Sequence, residues 1–254
     1  MKHETDEEFD LRKFVPSEEA RKTFAKVFDK KTIKAVHWLA TKGYFNVLEH
    51  VISTGKEAHV FLALDSTGSN KRAVKIYKVE TSDFNKMQRY LAGDRRFGKV
   101  KKSKRSIVFA WAKKEFKNLS LMNEAGIKCP LPIACFENVL VMEFIEANGK
   151  AAPTLKDQPP KDLANAYWQA INFLARLLFK ANLIYADFSE YNILNRNEEL
   201  VLIDAGQAVL TTHPEAQLFF ERDAQVIANF FSKHGMHKTV EEIKQDVKAM
   251  EGKI

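Results

Sequence analysis

An aspartate, an asparagine and a second aspartate recur at fixed intervals in the last third of the chain: Asp187-Phe188-Ser189-Glu190-Tyr191-Asn192, then Asp204-Ala205-Gly206, with Asp204 twelve residues beyond Asn192. The flanking residues restrict how this stretch folds. Leu183-Ile184-Tyr185 and Tyr191-Asn192-Ile193-Leu194 read as short apolar strands, and Leu200-Val201-Leu202-Ile203 as a buried strand that delivers Asp204 at its end. The spacing is the one Mg²⁺-dependent phosphoryl transfer requires. Asp187 would orient an attacking hydroxyl and accept its proton. Asn192 and Asp204 would offer hard oxygens to Mg²⁺, which prefers carboxylates, amide oxygens, phosphates and water. The plain alternative is a hairpin with Asp and Asn in its turns. The strand-borne Asp-x-Gly weighs against it.

Such chemistry needs a cation for the nucleotide phosphates upstream. Arg72-Ala73-Val74-Lys75-Ile76-Tyr77 is a strand in which alternation puts Ala73, Lys75 and Tyr77 on one face, and Lys75 would reach the α- and β-phosphates of ATP. Its carboxylate partner is expected from an amphipathic helix over 107–126, with Glu115 in the interior and Glu124 as the alternative beside the Gly126 stop. Before the Lys75 strand, Val51 to Phe61 stands where a phosphate-covering loop belongs. Ser53, Thr54, Gly55, Lys56, Glu57, Ala58 and Val60 are its candidate contacts. Only Gly55 permits close backbone approach, and position 50 is His50, so Gly55-Lys56 does not complete a P-loop. The adenine is expected on Val139 to Ile145, with Met142 lining the pocket and the Glu143 carbonyl and Ile145 N–H pairing with the base edge.

These motifs, Ser-Thr-Gly-Lys-Glu-Ala, Ala-Val-Lys-Ile-Tyr, Asp-Phe-Ser-Glu-Tyr-Asn-Ile-Leu and Leu-Ile-Asp-Ala-Gly-Gln, resemble in order and wording those of the RIO family of atypical protein kinases, most closely its type-one branch. The resemblance runs through about residues 45 to 230. It implies an α+β, two-lobed protein-kinase-like fold with a β-rich N-lobe and a helical C-lobe. It implies binding of ATP with Mg²⁺ (or Mn²⁺), serine autophosphorylation, ATPase activity through an aspartyl-phosphate on Asp204, and a part in maturing the small ribosomal subunit. By motif position the catalytic roles fall on Lys75, Asp187 and Asp204, the metal on Asn192 and Asp204, and the ion-pair carboxylate on Glu115. Tyr185 stands where the family usually has His. No Ala-Pro-Glu follows Asp204, and only 50 residues remain after it, which leaves no room for a full activation segment and substrate-binding subdomain.

The 254 residues, 45% hydrophobic with 19 Phe, suffice for a sizeable core. The expected organisation is a helical extension over 1–43, an N-lobe over 44–145 carrying a basic insertion at about 81–106, and a C-lobe over 146–254. Ser17 reads as an N-cap, and the N-terminal helices are expected to break near Asp29 and end at Gly43. Strands are expected near 44–53, 58–64, 72–78, 133–137 and 139–145, and a long helix over 161–181. Cys129 and Cys135, without a nearby His, read as thiols rather than a disulfide or zinc site. His234 and His237 read as surface residues. The charged N-terminus excludes a signal peptide and no stretch reaches about 18 apolar residues, so the expectation is no membrane and a cytoplasmic location.

The net charge of +7 is concentrated in Arg95 to Arg105, with seven basic residues in eleven and no acid. Such a run reads as a mobile, solvated loop that also suits a phosphate backbone. RNA or the pre-ribosomal small subunit is the expected partner, and Ser103 and Ser106 are expected cis phosphorylation sites. A second reading, a catalytically weak basic RNA-binding module that uses ATP as a conformational switch, would be favoured by loss of Lys75, Asp187, Asn192 or Asp204, and all four are present. A small-molecule phosphotransferase would need a substrate pocket from C-terminal helices that the chain hardly has residues to build.

Overall fold

The computed structural model describes residues 15, 18, 21, 24, 28–80, 82–98, 100–101 and 103–254. The proposed N-cap Ser17 and the charged first residues lie outside these. The chain forms two compact units: Met1–Ser82 with Ile133–Phe144, and Asp83–Pro132 with Ile145–Ile254.

In the first unit, helix α1 (Lys30–Thr41) begins where Asp29 accepts a hydrogen bond from the Thr32 amide at 2.8 Å. It ends at Lys42, and Gly43 takes a φ of +79°, the left-handed conformation that glycine adopts without steric cost. Ala35, Val36, Leu39 and Ala40 recur at three- and four-residue steps and are buried. They pack on a five-stranded sheet ordered β1-β2-β3-β5-β4, built from Val47–Thr54, Ala58–Leu64, Lys71–Tyr77, Val139–Glu143 and Pro132–Phe136 respectively. Phe24, Phe28, Phe61, Val74, Ile76, Val139 and Val141 join the same core. Asn138, in the turn between β4 and β5, is fully buried, and its amide donates to Thr32 Oγ1 at 3.0 Å and the Tyr77 carbonyl at 2.7 Å. One side chain thus ties α1 to the sheet.

The second unit is mainly helical. Helix α2 (Phe84–Ala92) is capped by Asp83, α3 (Lys104–Glu124) by Ser103, and α4 (Leu163–Arg176) by Asp162. A wide π turn continues α4 over Leu177–Ala181 and stops at Asn182, which is left-handed. Helices α5 (Ala216–Lys233) and α6 (Val240–Ala249) follow, the latter opened by a reciprocal Thr239–Glu242 capping box. Between α4 and α5 lie short strands β8 (Leu183–Ile184), β9 (Ile193–Arg196), β10 (Glu199–Leu202) and β11 (Val209–Leu210), and the small hairpin of β6 (Glu146–Ala147) and β7 (Lys150–Ala151) precedes α4. No helix among the described residues is long and apolar enough to cross a membrane.

Several sequence expectations need correction. The insertion is not a plain solvated loop: α2 occupies much of it, Arg95–Phe97 forms a short 3₁₀ turn, and α3 starts at Lys104 rather than 107. The reason is a pair of caps, Asp83 and Ser103, each accepting from an amide three residues on (Lys86 at 3.0 Å, Ser106 at 3.2 Å). Phe97 is buried, and the Arg96 guanidinium bonds the fully buried Asp94 and donates to Asn118 Oδ1 at 2.8 Å. The strand expected over 191–194 begins only at Ile193, because Asn192 belongs to the loop. Cys129 and Cys135 carry thiols, as expected.

Candidate active site

The chemistry-bearing loop of the second unit is built by two strand pairs. β8 and β11 pair antiparallel, Ile184 opposite Val209, which brackets residues 185–208. Inside, β9 and β10 form a hairpin with Arg196 opposite Glu199. Its two turn residues, Asn197 and Glu198, both have positive φ (53° and 71°), matching the twist of a two-residue hairpin. The Ile203 amide then donates to the Asn192 carbonyl at 2.9 Å. Folding the chain this way brings residues 187–192 against residues 203–207.

Asp187 is the centre of the result. Its Oδ2 accepts from Asn192 Nδ2 at 2.8 Å and from Gln207 Nε2. Asn192 also donates to the Asp187 carbonyl at 3.0 Å. Burial, followed by the nearby negative charge of Asp204, pushes the Asp187 carboxyl up to about 6. The positive charge of Lys86, from the first turn of α2, acts in the opposite direction. Two carboxylates that repel each other and an amide whose nitrogen is committed to Asp187 form a donor set suited to Mg²⁺. That ion takes one or two carboxylates and completes its shell with water and phosphate oxygens. A cation there would also relieve the mutual repulsion.

Asp223 and Arg222, which the sequence reading did not assign, hold this loop in place together with Tyr185. Asp223 of α5 is almost wholly buried, and its carboxylate accepts from the Ala186 amide at 2.7 Å and the Phe188 amide at 3.0 Å. Burial raises its carboxyl to about 7, against the pull of those two amides. Arg222 donates to the Ala186 carbonyl, so both polar groups of that peptide segment are bound from one helix turn. Ala186 itself is left-handed at φ +65°, a strained choice for alanine that these bonds over-determine. The only signal in the sequence was a charged residue on the apolar face of an amphipathic helix. Tyr185 is buried, donates its hydroxyl to the Ile203 carbonyl and meets Phe188 edge-on at 5.6 Å. It joins the segment before Asp187 to the segment before Asp204.

The Asp204 loop is held from α3. Lys114 and Asn118 are fully buried. Lys114 Nζ donates to the carbonyls of Gly206, at 2.9 Å, and Ala208, and Asn118 Nδ2 donates to those of Ala205 and Ala208, both at 2.8 Å. Burial lowers the Lys114 ammonium to about 7. Gly206 lies against the Trp111 ring so closely that a Cβ there would sit 2.9 Å from Nε1. Glu115, the expected ion-pair carboxylate, is fully buried on the same helix, whereas Glu124 is exposed at its end.

In the first unit, Lys75 lies in the middle of β3, opposite Val60 on one side and Leu140 on the other, buried and with Nζ 5.2 Å from the Tyr77 ring centroid. The expected alternation of Lys75 and Tyr77 therefore holds. Ser53 and Thr54 are the exposed last residues of β1, opposite Val60 and His59, and Gly55 and Lys56 open the turn to β2, closed by the Gly55 amide on the Ala58 carbonyl at 2.9 Å. Lys78 Nζ donates to the Gly55 carbonyl at 2.7 Å, and the Lys78 amide to the Glu57 carbonyl at 2.9 Å. Met142 and Glu143 pair with Ala73 and Arg72. Ile145, Glu115, Asp187, Asn192 and Asp204 belong to the second unit.

A family model for the RIO domain matches residues 59–244. The chain belongs to the RIO family. It sits with the family's Rio1-like members. It is 42% identical over 209 residues to the RIO-type serine/threonine-protein kinase Rio1 of Haloferax volcanii, covering 82% of this chain and 71% of that protein. It is 40% identical over 222 residues to its counterpart in Methanocaldococcus jannaschii, covering 87% and 74%. The human serine/threonine-protein kinase RIO1 is 36% identical over 220 residues, but these span 39% of that protein against 85% of this chain. The fold is that of a crystal structure of the Rio2 kinase from Chaetomium thermophilum in an ADP/Mg²⁺-phosphoaspartate complex, with a TM-score of 0.64 at 24% identity over 84% of this chain and 65% of that one. The expected two-lobed, kinase-like α+β architecture is thereby established.

Proposed function

We propose that this chain is an ATP- and Mg²⁺-dependent atypical serine protein kinase. The observation that carries this reading is the Asp187 cluster: a carboxylate positioned by Asn192 and Gln207 and raised by burial and by Asp204. Raised from the usual carboxylate range toward neutrality, Asp187 is a better proton acceptor for a serine hydroxyl than an exposed aspartate. In the proposed reaction the hydroxyl oxygen attacks the γ-phosphorus while its proton passes to Asp187, and ADP leaves. Asn192 and Asp204 would hold the metal that neutralises the phosphates. Lys75 would bind the α- and β-phosphates, with Glu115 as its carboxylate. Met142, Glu143 and Ile145 would receive the adenine, and the stretch from Ser53 through Lys56, with Glu57, Ala58 and Val60, would cover the phosphates.

The relatives named as serine/threonine-protein kinases support the activity, and the phosphoaspartate of the Rio2 complex supports Asp204 as a phosphate acceptor and an accompanying ATPase. Ser103 is exposed at the N-cap of α3 with Ser106 bonded to it at 2.7 Å, so a phosphate on Ser103 would meet the positive end of a helix. This favours Ser103 over Ser106 as the cis site. The cations between Arg95 and Arg105 suit contact with pre-ribosomal RNA. Arg96 is withdrawn from that set by Asp94.

The test is incubation with γ-labelled ATP and Mg²⁺, with and without small ribosomal subunits. A hydroxylamine-sensitive label absent from Asp204→Asn identifies the aspartyl-phosphate, and a stable label absent from Ser103→Ala identifies serine transfer. Nucleotide binding with neither label would overturn the kinase reading in favour of a nucleotide-switched RNA-binding module.

A further inference from the structure

We propose that Lys114 and Asn118 are positioning residues that set the metal-binding conformation of Asp204, an inference that rests on the assignment of Asp204 as a metal carboxylate. Asp204 has a φ of +59°, in the left-handed region that costs a non-glycine residue of order 1 kcal/mol or more and persists only when its surroundings over-determine it. On its N-terminal side the constraint is plain: the Ile203 amide donates to Asn192 and the Ile203 carbonyl accepts from Tyr185. On its C-terminal side Ala205, Gly206 and Ala208 direct their carbonyls at α3. There two fully buried side chains, about 90 residues earlier in sequence, supply four hydrogen bonds to three of these groups.

A buried ammonium is a costly way to satisfy carbonyls that a strand ladder would satisfy freely. The arrangement becomes intelligible if what matters is the direction of the backbone on leaving Asp204. A lysine of fixed reach and a planar amide, bracketing the Ala208 carbonyl together, define that direction. Trp111 closes the space beside Gly206 and blocks any outward relaxation of the loop. The clamp is braced from behind, because the Arg96 guanidinium donates to Asn118 Oδ1 at 2.8 Å. This fixes which end of the amide faces the loop. Arg96 is in turn held by Asp94, which is fully buried. The basic insertion is therefore linked to the backbone that follows Asp204 through Asp94, Arg96 and Asn118.

The experiment compares wild type, Asp204→Asn, Lys114→Met, Asn118→Ser and Met122→Ala. The last is a buried residue of α3 outside the clamp and serves as a control for general destabilisation. Two quantities are read: the affinity for a fluorescent ATP analogue without metal, and the Mg²⁺ concentration that half-saturates its metal-dependent binding. Removing a group that orients a metal ligand costs about 10- to 100-fold in metal affinity. Lys114→Met and Asn118→Ser are therefore expected to raise the half-saturating Mg²⁺ by about tenfold while leaving metal-free affinity unchanged. Met122→Ala should lower the melting temperature without moving the Mg²⁺ dependence. Clamp variants that bind Mg²⁺ like wild type, or a Met122→Ala shift of the same size, would overturn the proposal. If Lys114→Met does not fold, Asn118→Ser and Arg96→Lys decide it by the same criterion. Should Asp204→Asn itself leave the Mg²⁺ dependence intact, the metal assignment fails and the positioning role with it. A shift in Asp204→Asn alone removes only the positioning role.

Discussion

Asp187 is held in a state that its neighbours make uncomfortable, and that has a measurable consequence. Its folded pKa of about 6 lies above the ordinary value of 3.8. A carboxyl raised on folding contributes stability below the unfolded pKa, and that contribution is lost as pH rises through the folded value. Asp187→Asn should therefore stabilise the metal-free, nucleotide-free protein at pH 7.5 by about 1–3 kcal/mol and have little effect at pH 4. Melting curves at the two pH values check this, and equal shifts at both would show that charge is not the cause. The same variant should lose about 10²–10⁴-fold in phosphoryl transfer while still binding nucleotide, the usual range for removing a general base. Tyr185→Phe should cost about 1–2 kcal/mol in urea unfolding, because the Ile203 carbonyl loses its hydroxyl donor. Asp187, Asn192 and Asp204 were legible in the sequence, since their spacing encodes their meeting. Asp223, Arg222 and Lys114 were not. Asp223 and Lys114 lie in helices whose pattern marks the buried face but not what a polar group on that face will touch, and Arg222 is an exposed residue that the pattern does not single out.

At the scale of elements, α3 is more than a scaffold for Glu115. Its start was read three residues late because the basic run disguised a good cap at Ser103. Ser103→Ala should lower stability by about 1 kcal/mol, whereas Ser103→Asp should retain the cap. Urea titrations of the two variants separate capping from any effect of phosphorylation. The insertion before it carries an ordered turn because Asp94 neutralises Arg96 within it. Asp94→Ala would leave that guanidinium unpaired and Asn118 unbraced, at a cost of about 3–5 kcal/mol. A milder loss in thermal unfolding would mean that Arg96 swings out to solvent. Gly206→Ala should displace Trp111, seen as a change in its fluorescence, because the new Cβ meets the indole nitrogen at 2.9 Å. Strands β2 to β5 were read to within two residues of their ends, whereas β1 starts three residues later than expected and the two-residue strands β6, β7 and β11 were not read. Alternation fixes the longer strands locally, whereas the helix starts of the insertion depend on caps hidden among charges.

For the whole molecule, the sequence pointed to a helical extension over 1–43, a β-rich part over 44–145 and a helical part over 146–254, whereas the compact units are Met1–Ser82 with Ile133–Phe144, and Asp83–Pro132 with Ile145–Ile254. The sequence placed Asp83–Pro132 with the strands, and it groups with the helices. Periodicity could not show it, because the contacts of α3 with its unit, among them the bonds from Lys114 and Asn118 to residues 205–208, are long-range. Nucleotide and Mg²⁺ together should stabilise the chain by about 2.7 kcal/mol at a hundredfold excess over the dissociation constant, raising the melting temperature. Chelating the metal, or Asp204→Ala, should remove most of that shift. An equal shift with and without Mg²⁺ would remove the metal from the account.

The tether from Asp223 also gives the protein a built-in reporter. The amide protons of Ala186 and Phe188 are each held by one carboxylate oxygen inside a strained bend. They can exchange with deuterium only when the loop lifts off α5. Their exchange rates therefore time the opening of the loop that carries Asp187, residue by residue, in a protein otherwise silent about that motion.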